Sequence, residues 1–129
     1  MPSVKVAEAQ RKYTKDVWMY RYEYVTKTGW ETGWLASHAF ELPVSFANMD
    51  FHFSQFVFKN EPAETIENLI REIHGSWVRF AKTGDPNPEW LRFAGYDSPV
   101  RIFDRESKTV RLDRSELMRV WDDMRFYED

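Results

Sequence analysis

Acid–base chemistry in this chain rests on three histidines, because there is no cysteine to supply a thiolate or a Cys-based zinc site. The histidine in the most suggestive setting is His38, within Trp34-Leu-Ala-Ser-His-Ala-Phe-Glu-Leu-Pro-Val-Ser-Phe-Ala-Asn48. Small residues flank the ring, Glu41 lies three positions on, and Pro43 is expected to stop regular structure. An imidazole whose ordinary pKa is about 6.5 can take and return a proton at neutral pH. By residue type alone, a lone histidine among small residues is more often structural or solvated than catalytic. His52 and His74 carry no such local pattern, and no pair among the three has the spacing of known zinc sites. No metal or cofactor is therefore expected.

Placing His38 requires a strand ahead of it. Val17-Trp-Met-Tyr-Arg-Tyr-Glu-Tyr-Val25 puts Trp18, Tyr20, Tyr22 and Tyr24 on one face and Arg21 and Glu23 on the other, the period of a half-buried strand. His38 then falls in a loop beyond its C-terminal end, where open α/β sheets keep ligand and catalytic groups. Ser3 is expected to cap a helix running to about Lys15. Thr26 to Gly33 reads as a polar connection, and Phe46 to Phe58 as an irregular aromatic segment with a short helical turn. The clearest element is an amphipathic helix from Pro62 to Lys82, capped by Asn60 or Glu61. Ile66, Leu69, Ile70, Ile73, Trp77 and Phe80 mark one face, and Gly84 ends it. Trp90 to Pro99 is loop, while Val100–Asp104 and Thr109–Asp113 form a hairpin about Arg105–Lys108. Ser115 caps a last helix bearing Leu117, Val120, Trp121 and Met124.

The 129 residues amount to one domain, with 43% hydrophobic and 30% charged residues, an ordinary globular balance. Aromatics make up 17%, suited to a large core or to a face that meets another surface. A net charge of -3 without a basic stripe argues against a nucleic-acid partner. No apolar run approaches the roughly 20 residues that span a bilayer, so no membrane partner is expected. The N-terminus lacks an apolar signal core and cysteine is absent, so the expected location is cytoplasmic.

Four stretches, in order and over nearly the whole chain, resemble the C-terminal portion of the type-B carboxylesterases, the α/β-hydrolase family of para-nitrobenzyl esterases and cholinesterases. The segment around His38 is similar to the family's small-residue–x–His–Gly–x–Glu–Leu/Ile–Pro stretch. Val17-Trp-Met-Tyr-Arg-Tyr22 resembles the strand before it, and Trp77-Val-Arg-Phe-Ala-Lys-Thr-Gly-Asp-Pro-Asn87 the end of its long helix. Trp121 resembles a tryptophan near its C-terminus. Departures are Ala39 and Ala47 where the family usually has glycine, and Val44-Ser45 where it favours an aromatic and valine. If the family's glycine uses a positive φ, these changes bear on whether the loop keeps its geometry.

The resemblance implies an α/β fold, a C-terminal fragment of an α/β-hydrolase forming one partial domain over 1–129. It would have one or two sheet strands, a long amphipathic helix, a short hairpin and a C-terminal helix. It implies that His38 is the triad histidine acting as general base on carboxylic esters, with Glu41 a structural carboxylate supporting the histidine loop. In this family's chain order the histidine comes last. No G-x-S-x-G turn is present, and Gly75-Ser76-Trp77 lies inside the predicted helix. The 5 glycines are all separated, so no Gly-Gly oxyanion loop exists. The chain alone is expected to be inactive. Its expected partner is the missing N-terminal part of the esterase, or a second copy through the exposed strand and aromatic faces. The alternatives are a non-catalytic interaction module with the esterase fold and, last, an independent cone-like α+β domain.

Overall fold

The computed structural model describes residues 2–95 and 98–111. The last expected helix, with Trp121, and the end of the hairpin lie outside them. Helix α1 spans Pro2–Gln10 and buries Val4 and Ala7 against Phe93, leaving Val6 exposed. It begins ahead of Ser3, so Ser3 is a helical residue and not the cap. It ends short of Lys15 because Lys12 and Tyr13 tighten into i→i−3 bonds, Lys12 N–H donating to Ala9 O and Tyr13 N–H to Gln10 O.

Strand β1 is Tyr20–Tyr22, shorter than the expected Val17–Val25, because its parallel partner β2 (Pro99–Phe103) reaches only three of its residues. The flanks stay extended: Phe93 N–H donates to Val17 O, and Glu23 N–H to Phe103 O. β2 also pairs antiparallel with β3 (Lys108–Arg111), giving a three-stranded sheet ordered β1-β2-β3 with the expected hairpin on one side. Val100, Arg101, Ile102 and Phe103 are all buried, the pattern of a middle strand covered on both faces. Arg101 is tolerated there because Glu72 (2.9 Å) and Glu89 (3.3 Å) receive its guanidinium.

The stretch expected as a polar connection is instead helix α2, Lys27–Thr32. The Thr26 side chain caps it by accepting from Gly29 N–H (3.0 Å), and Gly33 ends it at φ 74°. Pro43 does not stop structure: it occupies the first turn of α3 (Leu42–Ser45), where its missing N–H costs nothing. Helix α4, His52–Val57, is the helical turn expected among the phenylalanines.

Helix α5, Ala63–Thr83, forms as expected, with Gly84 at φ 74° returning its N–H to Phe80 O (2.8 Å). Pro62, rather than Asn60 or Glu61, precedes its first turn, without a side-chain cap. Leu69 and Ile73 enter a core with Tyr24, Phe40, Val44, Val57, Phe58, Trp90 and Phe103. Trp77 and Phe80 of the same apolar face remain 45% and 40% exposed, so the described residues do not complete the packing of that helix.

Candidate functional site

The sequence between α2 and α3 folds as a series of tight reversals whose only deep anchor is Phe40. That ring is buried, edge-on to Phe53 (6.0 Å) and tilted against Trp34 (6.1 Å). Two positions before it, His38 is exposed. Phe40 N–H donates to Ser37 O (3.2 Å) and Leu42 N–H to Ala39 O (3.1 Å), so the backbone on both sides of the histidine is held. Ala39 takes φ 71°, a left-handed conformation that costs an alanine roughly 1–2 kcal/mol. Ala47 does the same at φ 50°, and Leu35 at φ 55°. Both positions where alanine replaces the family's usual glycine therefore use positive φ. Strain of this kind persists only where surrounding structure over-determines it, and here Phe40, Pro43 and Val44 are buried around it.

From this loop a groove of about 750 Å³ runs along β1, lined by residues 17–22, by Ser3, Val6, Ala7 and Gln10 of α1, and by Ala36, Ser37, His38, Ala39 and Glu41. His38 and Glu41 thus share one groove. The Glu41 backbone carbonyl accepts from Ser45 N–H (2.9 Å), opening α3. Its carboxylate opposes ionisation of two phenols in the groove wall. Tyr20 is raised above the ordinary tyrosine value by burial and then by Glu41. Tyr22 is raised by burial first, with Tyr24, Glu41, Glu61 and Asp104 adding to it. The Tyr22 hydroxyl is buried with no hydrogen-bond partner. Both tyrosines were legible as a strand face; that they line the groove was not.

His74 lies elsewhere, its Nδ1–H donating to Ser45 O (3.0 Å) and tying α5 to the end of α3. His52 is exposed at the start of α4. Among the described residues, no three His, Asp or Glu side chains group so as to hold a metal ion.

The model of the carboxylesterase family matches residues 1–121. The chain belongs to the carboxylesterase family. It is 35% identical to the para-nitrobenzyl esterase of Bacillus subtilis (strain 168) over 100 residues, covering 78% of this chain and 19% of that protein. It is 31% identical to phenmedipham hydrolase of Pseudarthrobacter oxydans over 83 residues, covering 60% of this chain and 17% of that protein. Among solved structures, a PNB esterase superposes over 96% of this chain and 25% of its own, with TM-score 0.74 and 28% identity. The Geobacillus stearothermophilus carboxylesterase EST55 superposes over 92% of this chain and 24% of its own, with TM-score 0.72 and 28% identity. The carboxylesterase chain thus has a partial α/β-hydrolase fold, a small sheet and a long helix, and spans a quarter or less of each of these relatives.

Proposed function

We propose that this carboxylesterase chain is the C-terminal segment of a serine ester hydrolase, a single partial domain in which His38 is the general base. The observation that supports this most is the placement of His38. It is solvent-accessible beyond the end of a sheet strand, on a backbone fixed by Phe40, and it opens onto the groove along β1. In the working enzyme the imidazole takes the hydroxyl proton of a serine as its oxygen bonds to the ester carbonyl carbon. It then passes that proton to the alcohol oxygen as the C–O bond breaks. The serine, the triad acid and the oxyanion donors would come from the remainder of an esterase chain, the proposed partner. Glu41 supports the loop by opening α3 immediately after the histidine turn. The substrate class is carboxylic esters. No described helix is long and apolar enough to cross a membrane, and we place the chain in the cytoplasm.

Alone, the chain lacks an activated nucleophile, and each missing oxyanion donor removes roughly 10²–10³ in turnover. With p-nitrophenyl acetate the isolated chain should show no saturable turnover above that of His38→Ala. Co-expressed with the part of the Bacillus relative preceding its matched residues, it should give saturable hydrolysis that His38→Ala abolishes. Saturable turnover by the chain alone, or activity in the complex that survives His38→Ala, would overturn the reading.

A further inference from the structure

Among the described residues, β1 is an edge strand. Its odd-numbered neighbours spend their backbone groups on β2: Met19 O accepts from Arg101 N–H, and Glu23 N–H donates to Phe103 O, which Tyr24 N–H shares (3.3 Å), so the alternation ends there. By the alternation of a parallel ladder, the N–H and C=O groups of Tyr20 and Tyr22 point the other way, into the groove. Such an edge is a template for another strand. The strand's own sequence specifies one. Arg21-Tyr-Glu23 is self-complementary about Tyr22 when laid antiparallel on a copy of itself. Tyr22 faces Tyr22, Arg21 faces Glu23, and Glu23 faces Arg21. That register makes Tyr22 a mutually hydrogen-bonded pair, as the direction of its free groups requires. The neighbouring symmetric register would place Arg21 against Arg21, which like-charge repulsion disfavours.

We infer that two copies of this chain pair through β1, antiparallel about a two-fold axis at Tyr22, joining the three described strands of each into one continuous sheet. Arg21 is exposed, and it and Glu23 form an ion pair within each chain; on pairing, the two arginines and two glutamates exchange partners across the axis. The interface is isologous, so each contact occurs twice. The inference stands apart from the esterase reading, because it requires only the edge and its charges. The remainder of an esterase chain, where present, would compete for the same groove.

The test is a charge swap read by sedimentation equilibrium. Wild type should associate reversibly to twice the chain mass, more weakly as salt is raised. Arg21→Glu sets Glu against Glu, and Glu23→Arg sets Arg against Arg; each variant alone should lose about tenfold or more in self-affinity. Mixed together, the two variants present opposite charges at both positions and should form a heterodimer near the wild-type affinity, which also shows that both are folded. In hydrogen exchange, the Tyr20 and Tyr22 amides of wild type should slow as concentration rises, while that of Glu23 is already slow. A wild-type chain monomeric at all soluble concentrations overturns the inference. So does a mixture no tighter than either variant alone, or a dimer whose Tyr20 and Tyr22 amides exchange as in the monomer.

Discussion

At the scale of single residues, the features that set His38 are its neighbours rather than the imidazole. Ala39 and Ala47 adopt φ 71° and 50°, a region that glycine occupies without steric penalty. Glycine at either position relieves the clash of Cβ with the backbone but loses more entropy on folding, and the net gain is about 0.5–1 kcal/mol. Ala39→Gly should therefore raise the urea midpoint, and Ala47→Gly should do likewise; a lowered midpoint for both would mean that neighbouring contacts, not φ, dominate there. The sequence displayed the alanines, and the family resemblance marked them as departures. It could not display φ, which depends on how Phe40 and α3 are seated. Glu41 shows the same division. Its closeness to His38 is a sequence fact, whereas its effect on Tyr20 and Tyr22 is a fact of packing.

Among the elements, α5 was legible because it carries its own instructions: an apolar stripe at helical spacing, proline before its first residue and Gly84 after its last. The hairpin was legible for similar reasons, through alternation about a polar turn. Helix α2 was not, since Lys27-Thr-Gly-Trp-Glu-Thr32 has glycine in its middle and no apolar stripe. The reason for that glycine is tertiary. A Cβ at Gly29 would lie 2.5 Å from the Leu35 carbonyl oxygen, because Leu35 returns its own N–H to Gly29 O (2.9 Å). Backbone cannot yield as a flexible side chain does, so Gly29→Ala should cost about 2 kcal/mol despite alanine's better helix propensity. Thermal unfolding measures it directly; an unchanged or higher Tm would show that the Leu35 reversal is free to move. That shift would also displace the start of the His38 loop.

For the molecule as a whole, the chain after β1 is tied to the entry of α5 through Glu61, and through the Lys27 ammonium, which donates to Asn60 O (2.6 Å). The Tyr24 hydroxyl donates to Glu61, whose carboxylate also accepts from Lys27 N–H at the start of α2. Burial first, and then the hydrogen bond to Glu61, push the Tyr24 phenol up to about 12. The fold favours the neutral phenol, so this stabilisation is complete below the unfolded value near 10 and vanishes as pH rises through about 12. Urea unfolding at a series of alkaline pH values should show wild type losing stability more steeply than Tyr24→Phe over that window, and parallel curves would refute the assignment. Elsewhere, among the described residues, apolar surface stays uncovered on Trp77, Phe80, Trp34 and Phe46, and the outer strands β1 and β3 each have an unpaired edge.

Sequence alone determined what local residue type and periodicity can encode: the long helix, the hairpin, the aromatic strand face and a histidine among small residues beyond that strand. Tertiary structure decided which strand pairs with which, that Pro43 opens a helix instead of ending one, and that His38 and Glu41 share a groove with two shielded tyrosines. These depend on contacts between residues far apart in the chain, such as Tyr22 beside Phe103 and Gly29 beneath Leu35, and no local pattern carries the coordinates of a distant neighbour.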